Sequence, residues 1–160
     1  MPNLTVLGLD PGLATTGYGV VSKKDGVVRA VEWGIIATEK NKLIPERLYT
    51  ISKDVARLIK RFHPQIAAVE SIYFSKNVKT AIFVAQARGA ILLTLQAHGV
   101  KILELSPSQL KSQITSYGSA SKAQVQNMVK KLLLLKNTPR PDDAADALAL
   151  AFCGTITQIH

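Results

Sequence analysis

The chain has 160 residues, of which 47% are hydrophobic; that suits one globular domain spanning residues 1–160 and excludes a disordered chain. Its formal charge of +9, from 20 Lys and Arg against 11 Asp and Glu, calls for an anionic partner, most often nucleic acid. The single cysteine, Cys153, excludes a disulfide framework and a cysteine-built zinc site. No segment reads as a membrane span or a signal peptide, so a cytoplasmic protein without membrane contact is expected.

In chain order, the first apolar segment is Leu4 to Leu9, which runs directly into Asp10. Gly17 to Ser22 and Val27 to Thr38 follow as strands, and the intervening "KKDG" carries an Asp-Gly hairpin signal. The chain therefore opens with an antiparallel meander. "PERLYTISKDVARLIKRFH" reads as a helix, with Pro45 in its first turn and Leu48, Ile51, Val55, Leu58, Ile59 and Phe62 as its apolar stripe. "IAAVE" is a short buried strand ending in Glu70. After a basic and aromatic loop, Lys79 to His98 is helical and apolar on nearly all sides, which places it at the centre of the core or partly under another subunit. "VKILEL" is a fifth strand. Ser106 to Gln109 and Ser121 to Gln124 each form a capping box that starts a helix. After "NTPRP" the last helix runs from about Asp142 towards Thr157. The result is an α/β fold, a mixed sheet with helices packed on it.

In so basic a chain the acids are scarce, and their positions carry information. Asp10 and Glu70 each end an apolar strand. If those strands are parallel neighbours, both carboxylates emerge at the edge where open α/β sheets bind ligands. Asp143 and Asp146 stand three apart, so they point from one face of the last helix. A plainer account exists for each: Asp-Pro-Gly favours a turn, Glu70 could be a solvated strand end, and acids at a helix start complement its dipole. Asp146 resists that account, because its neighbours Ala144, Ala145, Ala147, Leu148 and Ala149 imply close packing or close approach of a substrate. Gathered together, the acids suit phosphodiester hydrolysis. Hard divalent ions such as Mg²⁺ or Mn²⁺ take oxygen ligands, and a pair about 3.5–4 Å apart stabilises both the attacking and the leaving oxygen. His63, His98 and His160 are scattered and offer no zinc geometry, and no nucleophile elbow is present.

The pieces "GLDPG", "TGYGVV", "VESIYFSKN", "AQARGAILL", "SPSQLK", "GSASKAQVQNMV" and "DDAADALALA" occur in this order. Together they resemble the RuvC family of Holliday-junction resolvases, within the RNase H-like superfamily, over almost the whole chain. The resemblance implies an RNase H-like mixed five-stranded sheet flanked by helices, with the first three strands antiparallel. It implies a homodimeric endonuclease that makes paired symmetric nicks in four-way DNA junctions during recombination and repair. Two Mg²⁺ per site, with Mn²⁺ able to substitute, and a branch-migration helicase as partner are also implied.

The family's acids map onto Asp10, Glu70, Asp143 and Asp146, with Asp142 left as the helix cap. Tyr73 stands where the family usually has a phenylalanine that stacks at opened base pairs, and Phe74 follows it, so either ring can enter the junction. Lys111 and Lys122 match basic residues near the active site, each close to a helix N-terminus suited to phosphate. Lys76, Lys79 and Arg88 are further candidates for phosphate contacts.

Two other classes fit parts of the sequence. An actin-like ATPase or sugar kinase shares an acid-glycine-threonine opening, but needs a second phosphate loop that 160 residues without a repeat do not provide. A non-catalytic junction binder has no use for four carboxylates beside phosphates.

Overall fold

The computed structural model describes residues 2–72 and 77–157. Three strands, β1 (Leu4–Asp10), β2 (Thr15–Lys24) and β3 (Val27–Ala37), form the expected antiparallel meander. Asp25 and Gly26, both at positive φ, close the β2–β3 turn, as an Asp-Gly hairpin requires. Then follow α1 (Ile44–Phe62), β4 (Ile66–Glu70), α2 (Val78–Ala97), β5 (Lys101–Leu105), α3 (Pro107–Thr115), α4 (Lys122–Leu132) and α5 (Asp142–Ile156). The strand order is β3-β2-β1-β4-β5, with β4 parallel to both β1 and β5.

Alternation along the strands divides the core into two layers. Leu7 and Leu9 of β1 and Ala67 and Val69 of β4 pack with Ile51, Val55, Leu58 and Ile59 of α1 and with Ala87, Ile91 and Leu95 of α2. Val6 and Ala68 face the opposite way, onto α5, with α3 and α4 beyond it. Asp10 shares the parity of Val6, and Glu70 that of Ala68. Both strand-end acids thus belong to the face that α5 covers.

The approach of α5 to that face is unusually close. A Cβ on Gly8 would run into the Ala147 carbonyl, one on Gly17 into the Asp143 carbonyl, and one on Gly19 would stand 2.7 Å from the Leu148 amide. Gly8 pairs with Gly19 and Asp10 with Gly17 across β1 and β2, so the glycines form one continuous seam. Ala147 and Ala151 of α5 meet this seam at Gly8, and Ala144, Ala145 and Ala149 are buried as well. Of the two meanings the small residues around Asp146 could have had, close packing is the one realised.

The predicted caps form. Ser106 Oγ accepts from Gln109 N at 3.0 Å, and Ser121 Oγ from Gln124 N at 3.2 Å, each with the reciprocal glutamine bond. Asp142 departs from expectation. Pro141 occupies the cap position and Asp142 is the first helical residue, its carboxylate taken by Arg140 at 2.9 Å and Gln126 at 3.2 Å. The expectation that no segment is long and apolar enough for a membrane span needs correction. By length and composition alone, α2 is long and apolar enough to cross a membrane. Its apolarity has two other uses here. Ala81, Ala87, Ile91 and Leu95 enter the core, whereas Val78, Ile82 and Leu93 stay 65, 52 and 72% exposed.

Candidate active site

Four acids converge at one edge of the sheet. β1 delivers Asp10 and the parallel β4 delivers Glu70 at the same carboxyl end. The first turns of α5, pressed onto Gly17, bring Asp143 and Asp146 over them. Carboxylate oxygens of Asp10, Asp143 and Asp146 lie within 4.8 Å of one another. Oxygens that ligate one Mg²⁺ stand about 3–4 Å apart, so small side-chain adjustments close these three around an ion. The Glu70 carboxyl completes the group through a hydrogen bond with that of Asp10.

The electrostatics show what this gathering costs. Asp10 is pushed up to about 8, first by burial and then by the charges of Glu70 and Asp146. Glu70 is raised as well, chiefly by burial and further by Asp146, against the pull of its bond to Asp10 and of Lys122 and Lys111. Burial raises Asp146, which Lys122 partly offsets.

Positive charge arrives from the helices beside the acids. Lys122, the first residue of α4, places Nζ 3.3 Å from Asp146 and 3.7 Å from Asp142. Burial pulls its pKa down, but Asp146 and Asp142 outweigh that and hold the ammonium above its usual range. Lys111, half-buried on α3, lies near enough to favour the Glu70 carboxylate. Asp142 is held below the usual carboxylate range by Gln126, Lys122 and Arg140, so it stays ionised outside the cluster. Two clefts flank the acids. One is lined by Glu70, Ser71, Ile72, Thr80 and Pro107, the other by Gly12, Thr15, Thr80, Phe83 and Asp143.

The structure thus brings together all four predicted acids and both predicted lysines. Tyr73, Phe74 and Lys76 lie outside the described residues. Lys79 is exposed at the start of α2. Arg88, one of the weaker candidates for a phosphate contact, is bound to strand ends: Nε donates to the Glu70 carbonyl at 3.1 Å and Nη2 pairs with Glu104 at 2.8 Å. Sequence reasoning passed over the glycine seam that seats α5, although Gly8, Gly17 and Gly19, each on alternate strand positions, gave a signal of close backbone approach.

This arrangement has close counterparts. The family described as "Crossover junction endodeoxyribonuclease RuvC" matches residues 6–154. The chain is 48% identical over 150 residues to the protein of that name from Syntrophomonas wolfei, covering 94% of this chain and 87% of that one. With the Petrotoga mobilis protein it shares 47% over 150 residues, 94% and 92% of the two chains. Among solved structures, Thermus thermophilus RuvC in complex with a Holliday junction substrate superposes with a TM-score of 0.87 at 35% identity, over 92% of this chain and 90% of that one. The yeast mitochondrial resolvase Ydc2, at 18% identity and a TM-score of 0.67, shares the fold over 91% of this chain and 76% of its own. With its sheet order, its strand-end acids and matches that span nearly its whole length, the chain belongs to the RuvC family of crossover junction endodeoxyribonucleases.

Proposed function

We propose that residues 1–160 form one nuclease domain that nicks four-way DNA junctions in pairs, with Asp10, Glu70, Asp143 and Asp146 as the ligands of two Mg²⁺ ions. The observation that carries this reading is the convergence of Asp10, Asp143 and Asp146, with Glu70 beside Asp10, at one sheet edge in a chain of net charge +9. Divalent ions bound there supply an activated water and charge stabilisation at the attacking and leaving oxygens, and Mn²⁺ serves as well.

The protein's own groups do the rest. Asp10 and Glu70, rigid at adjacent parallel strand ends, fix where the scissile phosphate sits. Lys122 and Lys111 present positive charge beside them, and α4 adds its N-terminus, which favours phosphate. The flanking clefts give the strand on either side of that phosphate a path across the acids. Tyr73 or Phe74 stacks on an opened base.

Paired nicks on opposed strands require a two-fold arrangement, and the exposed apolar residues of α2, Val78, Ile82 and Leu93, supply an isologous surface. The homodimer works in the cytoplasm, where buried, reduced Cys153 is stable, and acts with a branch-migration helicase.

The test uses a four-way junction labelled on each strand in turn, with wild type, Asp10→Asn and a linear duplex in Mg²⁺. Symmetry-related nicks by wild type alone, with both proteins binding the junction, are the expected result. Junction binding without cleavage in either Mg²⁺ or Mn²⁺ would refute the nuclease assignment.

A further inference from the structure

We infer that Arg88 is a positioning residue for the active site: by binding the main chain of Glu70 it fixes where that carboxylate stands. The inference rests on Glu70 being a site ligand. Arg88 lies on α2, yet its side chain is only 16% exposed, and its bonds run to two strands. Nε donates to the carbonyl of Glu70, the last residue of β4, and Nη2 pairs with Glu104 of β5. Glu104 has the parity of Ile102, which belongs to the layer containing α2, so the guanidinium reaches both strands from one side.

Glu70 pairs with Leu105 of β5, but on its β1 side the sheet gives out. The β1–β4 pairing ends at Leu9↔Val69. Pro11, two residues beyond Leu9, has no N–H with which to extend it. On the β5 side the Ser71 amide donates to the Leu105 carbonyl at 2.8 Å. The Glu70 carbonyl takes Arg88 instead of a strand amide, so the catalytic end of β4 is held between a strand and a guanidinium. A planar fork that spans Nε and Nη2 serves a carbonyl and a carboxylate at once, which a lysine ammonium on a flexible stem does not.

The test compares wild type with Arg88→Met, Arg88→Lys, Glu104→Gln and Glu70→Gln. Mn²⁺ affinity is read by electron paramagnetic resonance without DNA, junction affinity in Ca²⁺ over a range of salt, and single-turnover cleavage against Mn²⁺ concentration. Melting curves give the folded fraction to which each value is normalised.

Arg88→Met is expected to weaken Mn²⁺ binding about 10- to 100-fold, as loss of outer partners does at metal sites, while junction affinity and its salt slope stay as in wild type. Arg88→Lys keeps charge but not the fork and falls in between. Glu104→Gln, which loses only the anchor, shows the smaller shift. Wild-type Mn²⁺ affinity in folded Arg88→Met and Arg88→Lys overturns the inference and leaves Arg88 a packing residue. A weaker junction complex with a salt slope reduced by about one overturns it in favour of a phosphate contact. Full cleavage by Glu70→Gln would instead overturn the ligand role of Glu70 itself.

Discussion

Asp10→Asn separates the cost of the acid cluster from its use. In the metal-free protein Asp10 is raised from 3.8 to about 8. A group raised on folding contributes stability that is fully present below its unfolded pKa and is lost as pH climbs towards the folded value. Between pH 5.5 and 7.5 the folded chain thus holds a proton that the unfolded chain does not. Each pH unit in that window removes about 1.4 kcal/mol, nearly 3 kcal/mol in all. Relaxation of the site and shared titration with Glu70 reduce this to roughly 2 kcal/mol.

Asparagine removes the ionisable group while its amide still donates to Glu70. Across that window wild type should lose about 4–8 °C of melting temperature more than Asp10→Asn. Mg²⁺ at about 100 times its dissociation constant should return roughly 2.7 kcal/mol to wild type at pH 7.5, and far less to the variant. Differential scanning fluorimetry with and without Mg²⁺, repeated at both pH values, measures all of these. Parallel pH curves for the two proteins, together with equal responses to Mg²⁺, would refute the reasoning, because Asp10 would then be neither strained nor a ligand.

Gly17→Ala drives a methyl into the Asp143 carbonyl, so thermal unfolding should show a loss of about 3 kcal/mol, with Mn²⁺ binding weakened as α5 lifts. Lys122→Met removes the cation beside Asp146; filter binding should give a junction affinity with a salt slope smaller by about one, and cleavage should slow. Leu93→Glu, at a side of α2 that is 72% exposed, should leave the circular dichroism spectrum unchanged and shift sedimentation at micromolar concentration from dimer to monomer. A Leu93→Glu protein that still sediments as a dimer would place the interface elsewhere.

Much of this was legible in the sequence because the relevant signals are local. Alternation and an Asp-Gly pair marked the meander, and two capping boxes marked the starts of α3 and α4. The acids stood out because each followed an apolar run or opened an apolar helix. Their meeting was conditional on β1 and β4 being parallel neighbours, a fact of long-range topology that no local pattern encodes. The role of Arg88 is illegible for the same reason. A lone arginine on an apolar helix reads as a surface cation until β4 and β5 are known to end beneath it. Asp142 reads as a cap in the sequence because it stands just before Asp143 at the helix start. In the fold Pro141 takes that position, and Arg140, Gln126 and Lys122 draw the Asp142 carboxylate away from the helix end.

A site that must hold mutually repelling carboxylates has two ways to fail: the acids can move apart, or the element carrying them can lift off. The seam closes the second route. With Ala147 against Gly8, Leu148 against Gly19 and Asp143 against Gly17, α5 is seated backbone to backbone, and withdrawing it would open the layer that contains Val6, Leu148 and Leu150. The first route is limited by how the strand ends are tied, β1 running into Pro11 and β4 held by Leu105 and Arg88. Repulsion therefore has to be relieved by charge rather than by motion. The raised pKa of Asp10, which keeps a proton there near neutral pH, and the ammonium of Lys122 provide that relief in the free protein. In the proposed function, divalent ions held by Asp10, Glu70, Asp143 and Asp146 would take over that task where the phosphodiester is cut.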